Sequence, residues 1–279
     1  MDTRKVWLVT GASKGLGLTL VKKLLAANYR VVATSRNDQA LREAIGNSTA
    51  DLLPIKVQLT NDQEVKLAIE KSIAHFGQID VVVNNAGYGQ LGTMEELSDD
   101  EARANFEVNV FGAMNIIRHV MPHLRSQQSG NIFNISSVAG IFGSFAGWGV
   151  YCASKFAMAG FTEALAEEAK AFGVKATVVY PGYFRTDFLT SDSIKTPKQP
   201  IQEYEDARAS EEAPLNSING NQPNDPEKAA DVLIALSKEQ NPPVHLLLGK
   251  DAYDMLTNKI EIISKDAEQW KSYTLSTEF

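Results

Sequence analysis

Short apolar runs rich in β-branched residues alternate along the chain with longer segments whose apolar residues recur every three to four positions. The first pattern predicts buried strands and the second predicts amphipathic helices. The predicted strands are Val6–Thr10, Arg30–Thr34, Ile55–Gln58, Asp80–Val83, Asn131–Ile135, Lys175–Tyr180 and Val244–Leu248. The predicted helices are Leu16–Ala27, Asp38–Ile45, Asp62–Phe76, Asp99–Arg125, Val150–Phe172, Pro226–Lys238 and a final one from Asp251 to about Trp270. This alternation indicates an α/β fold with a doubly wound parallel sheet of seven strands and helices on both faces.

One segment departs from this alternation of strands and helices. From Tyr183 to Asn224 the chain has four prolines and no sustained apolar period. Long irregular segments inside compact domains are usually functional loops. We therefore interpret residues 187–225 as a substrate lid with one or two short helices, inserted in a single domain that spans residues 1–279.

Composition narrows the function further. The chain has 279 residues, of which 44% are hydrophobic, enough for one large core, and its net charge of −7 disfavours nucleic acid as a partner. The apolar run near the N-terminus spans about six residues, too few for a signal peptide or a membrane span. The single cysteine, Cys152, excludes an internal disulfide. We expect a cytoplasmic protein with no membrane partner.

Metal binding has little support. His119 and His123 have the spacing of a helical ligand pair, but no third ligand lies near them in sequence. A packed or solvated helix face explains them as well, and we expect no metal.

A glycine-rich turn follows the first predicted strand and precedes the first predicted helix. It reads Thr10-Gly-Ala-Ser-Lys-Gly-Leu-Gly17. A turn in this position brings backbone N–H groups and the positive end of a helix dipole to a pyrophosphate. A purely structural turn is the alternative. The residues assigned to this phosphate site are Gly11, Ser13, Lys14, Gly15, Leu16 and Gly17.

The second predicted strand ends in Ser35-Arg36. NAD-binding units carry an acidic residue there, which bonds the ribose 2′-hydroxyl. Ser35 can instead donate to a 2′-phosphate and Arg36 can clamp it, with Lys14 adding a second positive charge. These residues favour NADP(H), although ordinary solvated cations would look the same.

A candidate acid/base pair begins the helix after the fifth strand. Tyr151 and Lys155 lie one turn apart on one face, and an ammonium near the phenol is expected to lower the pKa of Tyr151. Ser137 follows the fifth strand, where its hydroxyl could polarise a substrate oxygen. Asn109 lies in a mostly apolar stretch, so its amide needs a buried partner or a water.

Together these motifs resemble the short-chain dehydrogenase/reductase (SDR) family, in its NADP-preferring branch, from about Val6 to Thr186. The matching segments are the glycine turn, Asn84-Asn-Ala-Gly87, Asn109, Ser137, Tyr151-Cys-Ala-Ser-Lys155, Pro181-Gly182 and Thr186. The resemblance implies a Rossmann-like fold and an enzyme that transfers a hydride between NADP(H) and a small-molecule carbonyl or secondary alcohol. It also implies a homodimer or homotetramer paired through the long helices.

The same resemblance implies residue roles. Tyr151 would be the general acid/base, Lys155 would hold the nicotinamide ribose, Ser137 would orient the substrate oxygen, and Asn109 would anchor a relay water. The implied cofactor residues beyond the glycine turn are Ser35, Arg36, Leu59, Asn85, Ala86, Gly87, Tyr151, Lys155, Pro181, Gly182 and Thr186. The chain departs from the family at Gln58, where an aspartate is common, and in the thirteen residues between Ser137 and Tyr151.

Aromatic residues cluster in the loops expected around the substrate. They are Phe142, Phe145, Trp148, Tyr183, Phe184 and Phe188. They indicate an apolar or ring-bearing substrate, with plain packing as the alternative. Arg185 would grip an anionic group or face solvent.

Two other functions stay open. An NADP(H)-binding regulatory protein would bind NADPH without turnover on carbonyls or alcohols. An epimerase or lyase on the same scaffold would form product without net change in NADPH absorbance.

Overall fold

Seven parallel strands form the central sheet of the protein. The structure is a computed structural model and describes residues 3–46, 49–190 and 193–279. The strands in chain order are β1 (Val6–Val9), β2 (Arg30–Ser35), β3 (Leu52–Lys56), β4 (Val81–Asn84), β5 (Gly89–Gln90), β6 (Gly130–Ile135), β7 (Val174–Pro181), β8 (Ile194–Lys195) and β9 (His245–Leu248). The main sheet has the order β3-β2-β1-β4-β6-β7-β9, and β5 pairs with β8 separately. The predicted seven-stranded parallel sheet is confirmed.

Helices cover both faces of this sheet. They are α1 (Gly15–Ala26), α2 (Asp38–Ile45), α3 (Asp62–Phe76), α4 (Asp99–Phe106), α5 (Gly112–Gln127), α6 (Gly149–Lys170), α7 (Glu205–Ala213), α8 (Pro226–Leu236), α9 (Lys250–Gln269) and α10 (Lys271–Leu275). One core lies between the sheet and α1, α2 and α8, and the other between the sheet and α3, α5 and α6. The doubly wound arrangement is confirmed.

Strand β1 shows why the strands read as continuous apolar runs. Trp7 and Val9 pack into one core, while Val6 and Leu8 pack into the other, and all four are fully buried. Successive strand residues point to opposite faces, so a strand covered on both sides favours apolar residues at successive positions.

The third strand differs from its prediction of Ile55–Gln58. It begins at Leu52 and ends at Lys56, and Val57 and Gln58 belong to the following connection. Pro54 lies inside it, and the strand tolerates a proline because β3 is an edge strand bonded only to β2. Most other boundaries shift by one or two residues.

The long helix predicted at Asp99–Arg125 is wrong as a single α-helix. A π-helical turn, Glu107–Phe111, separates α4 from α5. Such single turns inside α-helices occur often at functional sites. The buried amide of Asn109 lies inside this turn.

The irregular segment contains more structure than its sequence indicates. It holds a 3₁₀ turn at Asp187–Leu189, strand β8, helix α7 and a π-helical turn at Pro214–Ile218. The main chain of Gly89 donates to Ser193 O at 2.8 Å, which ties this segment to the loop after β4. Residues 191 and 192 of the predicted lid lie outside the described residues.

No helix in the described ranges combines the length and the apolar character needed to cross a bilayer.

Two glycines give a matched test of this fold. Gly173, between α6 and β7, has a φ of +66°, and an added Cβ would lie 2.5 Å from Gln128 O. We expect Gly173→Ala to destabilise the protein by at least about 1–2 kcal/mol from the backbone strain alone. Gly160 in α6 has nothing within 4 Å of an added Cβ. Gly160→Ala should stabilise by about 0.5–1 kcal/mol.

Urea unfolding of both variants beside the wild type measures the two effects. Equal effects of the same sign would contradict this description of the two positions.

Candidate active site

A single cleft of about 770 Å³ runs along the carboxyl ends of the central strands. It contains residues that follow β1, β2, β4, β6 and β7. The connections from β1 and β4 leave in opposite directions, and ligands of open α/β sheets bind at such a switch point.

The glycine turn forms one wall of this cleft. Gly11 and Gly15 have φ values of +65° and +55°, and a Cβ on Gly11 would lie 2.8 Å from Ala86 Cα. No side chain caps α1, which begins directly after Lys14, and its first turn has no acidic residue. Backbone donors and the helix dipole therefore remain available for an anion. Gly17 is buried beneath the turn and lies outside the cleft lining.

Asn85 joins this turn to the end of β4. Its amide nitrogen donates to Thr10 O at 3.0 Å and to Gly11 O at 3.1 Å. The Thr10 hydroxyl accepts from the main chain of Asn85 and Ala86 at 3.0 and 3.1 Å. These bonds fix the turn against the segment Asn85, Ala86 and Gly87, all of which line the cleft.

The far end of the cleft holds the predicted 2′-phosphate residues. Ser35, Arg36 and Lys14 all line it, and both cations are exposed. The Ser35 hydroxyl accepts from Asn37 N at 3.2 Å, which leaves its proton for a ligand. Thr34, missed from the sequence, also lines the cleft, and its hydroxyl is buried without a partner in the described part of the chain. Leu59 lines the same end.

The predicted acid/base residues converge at the other end. Ser137, Tyr151 and Lys155 line the cleft, and the Tyr151 and Lys155 side chains are buried. The Lys155 ammonium donates to Ile135 O at 2.9 Å and lies 5.8 Å from the centroid of the Tyr151 ring. The Ser137 hydroxyl interacts with the Tyr151 phenol.

The predicted effect of Lys155 on Tyr151 is wrong for these side chains. Burial raises the pKa of Tyr151 well above its usual range, and the Ser137 hydroxyl only partly opposes the shift. Burial also lowers the pKa of Lys155 to about 8. Loss of solvation outweighs the attraction because the ammonium bonds to Ile135 O rather than to the phenol.

The adjacent residues Ser136 and Ser137 have different surroundings. Ser136 donates to Lys155 O at 2.9 Å, so it anchors α6 to the end of β6. Ser137, the residue chosen from the sequence, faces the cleft.

Asn109 lies behind the cleft rather than in its lining. Its amide nitrogen donates to Tyr88 O and to Ser154 Oγ, each at 3.0 Å, and its oxygen accepts from Tyr88 N at 3.0 Å. A Cβ on Gly87 would lie 3.0 Å from the Asn109 oxygen and 3.4 Å from Lys155 Nζ. Ser154, within the Tyr-Cys-Ala-Ser-Lys motif, was not singled out from the sequence.

The end of the cleft beside Tyr151, predicted to bind substrate and called the substrate end below, is aromatic. Its aromatic lining includes Phe145, Trp148, Tyr183, Phe184 and Phe188. Tyr151 lies between two of them, with ring centroids 5.8 Å from Trp148 and 6.0 Å from Phe188. Phe142, predicted in this wall, packs on Phe145 from outside. Arg185 also lies outside the cleft and donates to Gln222 O at 3.2 Å.

Pro181, Gly182 and Thr186, predicted to lie beside the nicotinamide, line the cleft after β7. Asp251, at the start of α9, accepts from Tyr183 N at 2.6 Å and so fixes the loop that follows Gly182. No local pattern predicts this contact, because the two residues are 68 positions apart.

A buried ionic cluster holds α7 against the substrate end. Arg208 pairs with both Glu96 and Glu211, whose side chains are 0% and 4% exposed. Glu211 also accepts from Gly92 N at 3.1 Å, and a Cβ on Gly147 would touch its carboxylate. Gly147 directly precedes Trp148 of the aromatic wall. The cluster therefore connects α7 to two loops beside the cleft.

The two histidines considered as a metal pair have separate partners. His119 Nε2 lies 2.9 Å from Asp62 Oδ1, and His123 Nε2 accepts from Ile79 N at 3.2 Å. In the described ranges, no three His, Cys, Asp or Glu side chains are grouped to hold a metal.

Comparison with known proteins agrees with this fold and site. A family described as short chain dehydrogenase matches residues 5–196, and the chain belongs to this family of oxidoreductases. The chain is 34% identical over 275 residues to the oxidoreductase BOA17 of Botryotinia fuckeliana, which covers 98% of this chain and 99% of that one.

Two solved structures are similar. A short-chain dehydrogenase from Streptomyces avermitilis superposes with a TM-score of 0.91 at 32% identity over 100% of both chains. ElxO with NADP bound superposes with a TM-score of 0.72 at 25% identity over 88% of this chain and 96% of its own.

The low pKa of Lys155 predicts a pH-dependent stability. At pH 7 both the folded and the unfolded lysine are charged, so the cost of burying the ammonium is fully present. That cost falls as the pH rises from about 8 to the unfolded value of 10.5. Lys155→Met should therefore be more stable than the wild type at pH 7, and the difference should shrink by roughly 2–3 kcal/mol by pH 10.

Urea unfolding at both pH values measures this difference. A difference that stays constant with pH would show that the lysine is not buried as a charge.

Proposed function

We propose that this oxidoreductase uses NADP(H) to interconvert a carbonyl and a secondary alcohol on an apolar or ring-bearing small molecule. The observation that carries the proposal is one cleft with a phosphate-type glycine turn at one end and buried Tyr151, Ser137 and Lys155 at the other. No observation favours a regulatory protein without turnover.

The residues of the cleft fit a dinucleotide. Glycines replace side chains where the backbone approaches closely, and the start of α1 offers donors to a pyrophosphate. The Thr34 hydroxyl is a buried polar atom that a ribose or phosphate oxygen would satisfy. When bound, the nicotinamide supplies or accepts the hydride.

The choice of NADP(H) rests on Ser35, Arg36 and Lys14. Arg36 and Lys14 place two cations beside the Ser35 hydroxyl, with no carboxylate at the end of β2 to repel a 2′-phosphate. ElxO, a structural neighbour, has NADP bound, which supports the same choice.

Tyr151 moves the proton in this scheme. Because burial raises its pKa, the phenol is protonated at neutral pH and can donate to a carbonyl oxygen as the hydride arrives at carbon. The Ser137 hydroxyl lies beside the phenol and can hold the same oxygen. Lys155 contributes a positive charge at neutral pH, which stabilises the phenolate formed after donation.

Asn109 lies behind the cleft and holds its two sides in position. Its bonds to Tyr88 and Ser154 connect the loop after Gly87 to helix α6, which carries Tyr151 and Lys155. We also propose that Asn109 anchors a water molecule that relays a proton.

The aromatic wall supports an apolar substrate. Trp148 and Phe188 flank Tyr151, so an apolar or planar group beside the reacting carbonyl would pack between them. We propose that residues 187–225 act as the substrate lid of a single domain.

Location and assembly are further proposals. We place the enzyme in the cytoplasm as a homodimer or homotetramer paired through α5 and α6. Phe111 beside α5 and Phe156 on α6 are 46% and 40% exposed, which supports such pairing.

Replacing the proton donor tests the reaction. Tyr151→Phe should reduce kcat by a factor of hundreds or more because the substrate oxygen loses its acid, while NADPH binding changes little. NADPH oxidation with any carbonyl that the wild type reduces gives kcat, and fluorescence titration gives the NADPH Kd. Near-full activity in the variant would refute the mechanism.

A cofactor test uses a matched pair of cations. Arg36→Ala should weaken NADPH binding about tenfold or more, with little effect on NADH, because only NADPH carries the 2′-phosphate. Lys22→Ala removes an exposed cation of α1 outside the cleft and serves as the control. Equal losses for both cofactors in Arg36→Ala would refute the 2′-phosphate assignment.

A further inference from the structure

Helix α9 extends away from the body of the protein. Ala252 in its first turn is fully buried, but every residue from Ile260 to the C-terminus is exposed. An isolated helix shorter than about 12–15 residues is only marginally stable in water without tertiary packing. The exposed part of α9, from Ile260 to Gln269, is shorter than this, so a surface that covers it would stabilise it.

Apolar residues at heptad spacing form a regular seam along this helix, whereas Met255 and Ile262 lie off it. The seam consists of Tyr253, Leu256, Ile260, Ile263 and Ala267, and Trp270, the residue that follows the helix, continues the spacing. The intervals alternate between three and four, the heptad spacing of a two-stranded coiled coil. Ile260, Ile263 and Trp270 are 56%, 54% and 52% exposed, so the seam is uncovered.

We propose that this seam binds the same helix of a second copy of the chain, in antiparallel orientation. The sizes of the seam residues are complementary in that orientation alone. Ile260 faces Ile263 of the second copy, Leu256 faces the small Ala267, and Tyr253 faces Trp270. A parallel pairing would place Ala267 against Ala267 and Trp270 against Trp270, which leaves a gap beside a clash.

The flanking charges agree with this orientation. Lys259 and Asp266 lie on the same edge of the seam, and neither has an ion-pair partner in the part of the chain that the structure describes. Antiparallel pairing places Lys259 of each copy beside Asp266 of the other, twice across the two-fold axis. At the outer ends Lys250 and Lys271 approach each other, but each pairs with a nearby carboxylate of its own chain, Asp254 and Glu268.

The first experiment measures the mass of the full-length protein by light scattering after gel filtration, over a range of micromolar concentrations. Ile263→Lys should halve the mass of the assembly, whatever its starting size, because a charge in the seam opposes pairing. Ile262→Lys is the matched control, because Ile262 is 41% exposed on the opposite face of the same helix. Circular dichroism verifies that both variants are folded. An unchanged mass in folded Ile263→Lys would overturn the proposal.

The second experiment tests the orientation by charge reversal. Lys259→Asp and Asp266→Lys should each raise the dissociation constant about tenfold or more, since each converts two attractive pairs into repulsive ones. The double variant should return it to within about threefold of the wild type. Failure of the double variant to recover would refute the antiparallel register.

Cross-linking distinguishes the two orientations directly. The native Cys152 is buried, so an added cysteine reports on the seam alone. A mixture of Leu256→Cys and Ala267→Cys proteins should form a disulfide-linked dimer, whereas Ala267→Cys alone should not. A dimer formed by Ala267→Cys alone would show parallel pairing and overturn the proposal.

Discussion

The site depends on the close approach between the ends of two neighbouring strands, β1 and β4. Gly11 lies so near Ala86 that no side chain fits, and the Asn85 amide bonds the carbonyl oxygens of Thr10 and Gly11. This contact fixes the phosphate-type turn to the segment that ends at Gly87. Gly87 in turn lies beside both the Asn109 oxygen and Lys155 Nζ. One chain of short contacts thus joins the two chemical ends of the cleft.

The second constraint is the burial of ionisable groups at the catalytic end. Moving a phenol and an ammonium out of water disfavours their charged forms, which raises the pKa of Tyr151 and lowers that of Lys155. At neutral pH the buried ammonium of Lys155 opposes folding stability, whereas Tyr151 carries no charge there and its raised pKa keeps the phenol protonated as a proton donor. In the Glu96–Arg208–Glu211 cluster, the cost of burying charges is offset by direct pairing instead. The two carboxylates share the Arg208 guanidinium and accept hydrogen bonds from main-chain N–H groups.

Local sequence patterns predicted the seven-stranded sheet, most of the helices, the glycine turn and the positions of Ser137, Tyr151 and Lys155, whereas the family resemblance supplied most of the other cleft residues. Apolar runs and glycine turns determine those features over a few residues, so a single sequence contains them. The π-helical turn at Asn109 could not be predicted, because its main signal is the partnership with Tyr88 and Ser154, distant in sequence. The pKa direction of Tyr151 was missed because spacing shows that Lys155 is near but not where its ammonium points. The cluster around Arg208 depends on Glu96, 112 positions away.

The proposed function of the cleft is NADPH-dependent carbonyl reduction beside an aromatic wall. To test it, NADPH absorbance is followed with a panel of ketones, aldehydes and quinones, graded from small aliphatic to ring-bearing, with NADH run in parallel. We expect NADPH oxidation with at least one ring-bearing or apolar carbonyl, faster than with NADH and faster than with small polar carbonyls. Tight NADPH binding with no oxidation across the whole panel would contradict it.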